Sequence, residues 1–241
     1  MAETGLAVPR PARAAGGAVG FLVEALAALR DRALVAPALL LALFLTATNI
    51  VLALTIPASR GELLFFIAVA LVRVSGVLLF AVAILRILGG SPRRTWAPDA
   101  ALWLYGATFL FGIGLTLALT RLAGGREGVL AGLAVGAAVS ILTAPFAAWF
   151  AAIAVERPLA WRAASWLRDF RRWLPPMLLW SLLLVVPLAQ LHAAIDTLLI
   201  EGAGSRFWPL ALFDGPLSAL LAFLSLALAS AAYRSVAKGG R

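Results

Sequence analysis

The chain has 241 residues, 63% of them hydrophobic and only 13% charged, with a mean hydropathy of +1.00; a soluble domain is close to half apolar, so an ordinary water-soluble globule is excluded. Twenty Lys and Arg against 11 Asp and Glu give a net charge of +9, and with no soluble basic domain to dock a duplex this excess points to membrane topology and anionic lipid, not to nucleic acid. Cys is absent, which removes disulfides, thiolate nucleophiles and Cys-based metal or iron–sulfur sites.

Residues 1–32 read as a retained cytoplasmic arm. The first long apolar run begins near Ala33, beyond signal-peptide spacing, and Glu3, Glu24 and Asp31 among the arginines do not suit a transit peptide. Within the arm, Phe21, Leu22, Ala25, Leu26 and Leu29 form an apolar stripe opposite Glu24, Asp31 and Arg32, the pattern of an amphipathic helix.

Six apolar segments follow, at 33–57, 63–85, 101–120, 128–155, 174–195 and 209–233, each long enough to cross a bilayer core. Turn-forming breaks such as Ser59-Arg60-Gly61-Glu62 and Gly89-Gly90-Ser91-Pro92 separate them, and no loop is large enough for a second folded domain. Backbone polar groups in hydrocarbon must pair within the protein, and the segments lack the period of two of a barrel strand. The expected fold is therefore all-α: a polytopic transmembrane helical bundle of six spans in three hairpins, covering 33–233, with a basic tail at 234–241.

The third span carries Thr108, Gly112, Thr116 and Thr120, and the fourth carries Gly128, Gly132, Gly136 and Ser140, both at steps of four. Small residues let helix backbones approach closely in lipid, so these ladders predict that the two spans pack on each other. Pro145 and Pro187 lie inside the fourth and fifth spans and predict kinks. Between those spans, 158–173 reads as a second amphipathic helix. Leu159, Ala163, Trp166, Phe170 and Trp173 make its apolar stripe, with Arg162, Arg168, Arg171 and Arg172 among the residues between them. Trp166 and Trp173 suit the headgroup boundary, and the arginines suit anionic phospholipid at about 1 kcal/mol each. The same pattern fits a connector helix packed on the inner face of the bundle.

Lys and Arg outside the spans fall unevenly. Fifteen lie in the N-terminal arm, the second and fourth loops and the C-terminal tail; four, Arg60, Arg121, Arg126 and Arg206, lie in the alternate loops. The asymmetry places both termini in the cytoplasm, with the acidic residues Glu62, Glu127, Asp196 and Glu201 in the opposite loops. For a bacterial chain the membrane is the inner one.

The strongly polar residues within the spans are Asn49, Arg73, Gln190, His192 and Asp214. An unpaired Arg at midplane costs roughly 2.5 to 3.5 kcal/mol, so Arg73 should face a partner or a wet cavity, with Asp214 as the favoured counter-charge. The five residues describe either a substrate or ion site, or a structural ion pair with interfacial neighbours. His192 is the sole histidine, so no multi-His metal cluster can form. Axial ligation of a pigment or haem is one role open to it, though a helix-end His near water needs no cofactor, and neither metal nor cofactor is expected. Phosphate-binding, dinucleotide, zinc-protease, EF-hand and hydrolase-elbow motifs are all missing, which argues against an enzyme.

The order of parts resembles a loose group of bacterial inner-membrane proteins, the YciC-like proteins and the membrane domain fused to some glycerophosphodiester phosphodiesterases. The residues that carry the resemblance are the helix from Phe21 to Arg32 entering Ala33, then Thr143-Ala144-Pro145-Phe146, Val155-Glu156-Arg157-Pro158 and the amphipathic helix from Leu159 to Trp173, with Ser165 at its centre. The resemblance implies a membrane setting and carries over no catalytic residue. Two functions remain in view. The first is a non-enzymatic scaffold or accessory subunit that engages lipid and partner membrane proteins or a second copy of itself. The second is a small transporter or permease component with a polar path around Arg73 and Asp214.

Overall fold

A computed structural model describes residues 17–56, 59–91, 94–122, 128–155, 170–201 and 204–239, with side chains to Ala237. Nine α-helices run through the described residues: α1 (Ala18–Ala28), α2 (Val35–Leu54), α3 (Arg60–Leu88), α4 (Ala100–Leu122), α5 (Val129–Thr143), α6 (Ala147–Val155), α7 (Phe170–Trp180), α8 (Val186–Ile200) and α9 (Phe207–Gly239). They build six apolar rods long enough to cross a membrane, Arg32–Leu54, Arg60–Leu88, Ala100–Leu122, Val129–Val155, Phe170–Ile200 and Gly204–Ala237. The fold is thus the all-α, multi-pass membrane bundle that the sequence predicts.

Local chemistry sets the helix ends. Asp31 accepts from Ala33 N at 2.9 Å and starts the 3₁₀ turn that leads into α2. Ser59 and Glu62 form a reciprocal capping box on α3. At the other end of α3, Gly90 takes the left-handed φ of 63° that closes a helix C-terminus, while Ser91 N donates to Arg86 O at 2.9 Å. Both interior prolines interrupt their rods, as the sequence predicts. Pro145 sits in the 3₁₀ turn Ala144–Phe146 between α5 and α6. Pro187 sits at the start of α8, directly after a wide π turn at Ser181–Val185 that accommodates its ring and missing N–H.

Successive rods are neighbours, and the sixth closes the ring against the first. The sixth rod is also the hub: half of its apolar window is buried, against a third or less in the other five. Leu41, Leu45, Ile84, Leu85, Ala151 and Phe223 share one core with it, joining α2, α3, α6 and α9. At the end of the bundle that carries both chain ends, Phe21 and Ala25 of α1 pack on Met177, Ala231 and Val236 around Trp173. The apolar stripe of α1 is thus packed on the bundle.

Trp173 corrects an expectation. It is fully buried, not at a headgroup boundary, because the helix starting at Phe170 runs straight into the fifth rod and turns this face inward. Arg171 and Arg172 beside it are exposed. The rest of the expected interfacial helix, with Arg162, Trp166 and Arg168, lies outside the described residues.

The same end holds two arginines that sequence counting treats as loop charges. Arg86, 2% exposed, donates to the carbonyls of Ala154, Arg94, Thr95 and Ala97 at 2.9–3.3 Å and pairs with Asp99 at 2.7 Å. Asp99 in turn caps α4 through Ala101 N at 3.0 Å. Arg234 donates to Leu88 O at 3.0 Å and meets Glu24 at 3.4 Å, joining α1, α3 and α9. Both cations lie where α3 and α6 leave their last carbonyls without intrahelical partners.

The small-residue ladders do not meet as predicted. Although α4 and α5 are neighbours, a Cβ at Gly112 would touch nothing, and Thr116 and Thr120 are exposed and bond to their own helix. Thr108 likewise bonds to Tyr105 O. Gly132 and Gly136 instead receive Gln190 and Val186 from α8, a Cβ at Gly136 lying 3.1 Å from Val186 Cγ1. Gly128 begins the fourth rod as an exposed cap with open space beside it, and Ser140 is half-buried. The tightest helix approach lies elsewhere, at Gly215 of α9, where a Cβ would stand 2.6 Å from Thr46 N and Cα of α2. Gly215→Ala should therefore cost about 1–3 kcal/mol of stability, read as a lowered unfolding temperature in detergent, whereas Gly112→Ala should leave that temperature unchanged or slightly raised.

Candidate functional site

The close contact at Thr46 and Gly215 has a chemical result. Asn49 lies one turn beyond Thr46, and Asp214 precedes Gly215, so the two side chains are brought together inside the half of the bundle remote from the chain ends. Asp214 has no exposure. Its Oδ2 accepts from Asn49 Nδ2, and its Oδ1 lies 2.6 Å from His192 Nδ1. One turn further along α8, Asp196 Oδ2 lies 3.4 Å from His192 Nε2. Ser218, one turn after Asp214, places Oγ 3.1 Å from His192 Nδ1. Three rods, the first, fifth and sixth, thus contribute to one polar network.

A cavity of about 250 Å³ adjoins it. Asn49, Asp196 and Arg73 are its polar lining, and Ile56, Phe66 and Ile200 are among its apolar walls. Ile56 and Ile200 stand at the ends of the first and fifth rods, while Arg73 enters 13 residues into α3, about 20 Å along the helix at 1.5 Å per residue. The cavity therefore runs from the far end of the bundle towards its interior.

Four of the five residues expected from sequence lie here, with one rearrangement among them. Arg73 forms no ion pair with Asp214; it makes no hydrogen bond or salt bridge with any described residue and borders the cavity instead. Asp214 is already committed to Asn49 and His192, which fill its two oxygens. Gln190 stands apart, its side chain folded over Gly132 and Gly136. Asp196 was expected in a loop because the apolar run stops at residue 195, yet α8 continues to Ile200 and carries Asp196 inside it at i+4 from His192. That spacing was the available signal. Ser218 had none beyond its own i+4 relation to Asp214.

The geometry limits the chemistry. Ser218 and Asp214 both address Nδ1 of the ring, so the imidazole cannot relay a proton between them through its two nitrogens, as nucleophile activation in a Ser-His-Asp triad requires. What the site offers is oxygen-rich binding. Asn49 Oδ1 is buried with no hydrogen-bond partner among the described residues, and two carboxylates stand against one guanidinium. A second cavity, of about 200 Å³, is lined by the interrupted fourth and fifth rods together with the sixth; its lining is largely apolar, with Tyr105, Ser140, Thr143, Ser181 and Ser225 as hydroxyls.

Comparison with known protein families, curated proteins and solved structures finds no match for the chain.

Asp214 carries the network, so Asp214→Ala leaves Asn49 and His192 without their shared acceptor. The expected cost is about 2–4 kcal/mol from the two orphaned groups, measured as loss of thermal stability in detergent. Asp196, with 38% of its side chain exposed, tolerates Asp196→Asn within about 1 kcal/mol.

Proposed function

We propose that this protein is a small carrier or permease component whose path for a small polar or ionic solute passes the cavity bordered by Arg73, Asn49 and Asp196. The observation that carries this reading is Arg73 itself. A structural ion pair would have closed on Asp214, whereas this guanidinium stands half-buried at a cavity wall that it shares with Asp196, with no hydrogen bond or salt bridge to any described residue. Ionisable groups inside a membrane bundle that are not locked into a salt bridge are costly and are found where solutes, ions or protons pass. We place the chain in a bacterial inner membrane with both termini cytoplasmic on the strength of its Lys and Arg asymmetry; the cavity then opens towards the outside.

A scaffold or accessory role draws on a separate observation, the exposed Arg171 and Arg172 at the end that carries the chain termini. In that position they attract anionic phospholipid. The two roles are separable by experiment. Proteoliposomes challenged with a panel of inorganic cations and small zwitterions should show saturable flux of at least one, and Asp196→Asn should cut that flux about tenfold or more while the variant still elutes as a single species. Absence of flux across the panel, together with recovery of a stoichiometric partner in mild detergent, would contradict the carrier reading and favour the accessory one.

A further inference from the structure

We propose that His192, Asp196 and Asn49, oriented by Asp214, bind a divalent transition-metal cation such as Zn²⁺ or Mn²⁺. The inference rests on the reading of this cluster as a solute site and names the class of ligand it takes. His192 and Asp196 stand on adjacent turns of α8, with Nε2 and Oδ2 separated by 3.4 Å. Two ligands of a tetrahedral ion with bonds of about 2.1 Å stand about 3.4 Å apart, so the pair is already spaced for a shared cation. Asp214 acts on the other side of the ring. Its Oδ1, 2.6 Å from Nδ1, accepts the hydrogen bond of Nδ1–H in the tautomer that leaves the Nε2 lone pair for a metal, the role that carboxylates play behind metal-bound histidines. His192, Asp196 and Asp214 offer ligand atoms within 4.8 Å of one another, and Asn49 lines the adjoining cavity beside Asp196.

Asn49 supplies an independent reason to expect a cation. Its Nδ2 donates to Asp214 Oδ2, and turning the amide over would set oxygen against carboxylate, so the orphaned atom is the oxygen. Asn49 is 4% exposed, and a buried carbonyl without a partner costs about 1–3 kcal/mol. Asp196 lines the same cavity, with Arg73 as the cation on its wall, and Asp214, His192 and Ser218 form the adjoining network, so lone pairs outnumber donors. An electron-poor guest satisfies such a set. Charge agrees: Asp196 and Asp214 against Arg73 leave one formal negative charge, which a bound cation offsets. One imidazole among oxygens suits Zn²⁺ or Mn²⁺, whereas Mg²⁺ favours oxygen ligands and keeps its waters. With only three protein donors the site is exchangeable, as a carrier needs.

The lone histidine excluded a multi-His cluster at the level of sequence. It did not exclude a mixed His and carboxylate set, which became visible only when Asp196 joined α8. The test is equilibrium titration of the full chain, free of any affinity tag, in lipid nanodiscs with ZnCl₂, MnCl₂ and MgCl₂. One saturable Zn²⁺ or Mn²⁺ site per chain is expected, with Mg²⁺ weaker. His192→Gln and Asp196→Asn should each weaken it about tenfold or more, and Arg73→Gln, which removes a cation from the same cavity, should strengthen it about threefold. Asp196→Asn is the informative variant if His192→Gln fails to fold. No saturable Zn²⁺ or Mn²⁺ binding by the wild type, or equal affinity in the wild type and Asp196→Asn, overturns the proposal. Binding and flux fail separately: flux of another solute without metal binding sinks only the metal site, and binding without flux sinks only the carrier.

Discussion

A polar group carried into hydrocarbon must find its partner inside the protein, because the solvent offers none. Three arginines of this bundle meet that constraint differently. Arg86 and Arg234 are held by helix-end and loop carbonyls and an acid each, so their charges serve to lock the end where α1 begins. Arg73 has no such shell among the described residues and borders the cavity. The contrast within one molecule separates a cation enclosed by carbonyls and an acid from one at a cavity wall.

The far half is organised by a single close approach. Gly215 lets α9 lie against Thr46 of α2, whose own hydroxyl is turned back to Ala42 O at 2.8 Å. That contact sets the height at which Asn49 and Asp214 meet, and Asp214 then fixes the ring of His192 and through it the edge shared with Asp196. Packing and chemistry are therefore one problem here. A methyl group at Gly215 would disturb a site whose donors all lie on other residues.

The rods themselves were legible from sequence because runs of apolar residues have few alternative uses, and both interior prolines interrupt the helices that contain them. Three things were not legible. A small-residue step of four identifies a face but not the neighbour that occupies it, and Gly132 and Gly136 turned out to receive Gln190 and Val186 from the fifth rod, not the third. Hydropathy ends a rod where polarity begins, which left Asp196 outside a helix that continues to Ile200. Counting cations by loop cannot see burial, so Arg86 was indistinguishable from the exposed Arg94, and Trp173 passed for an interfacial residue although the bundle encloses it.

Water access to the Arg73 cavity is the point on which the functional account turns. The chain has no Cys, so a single introduced thiol reports on its own position. Asp196→Cys, Arg73→Cys and Ser230→Cys, the last at a fully buried site, can be exposed in intact cells to a membrane-impermeant maleimide. The account predicts that the thiols at 196 and 73 are labelled from outside and the thiol at 230 is not. Failure of both cavity thiols to react in the folded protein, or their reaction only from the side of the chain ends, would contradict it.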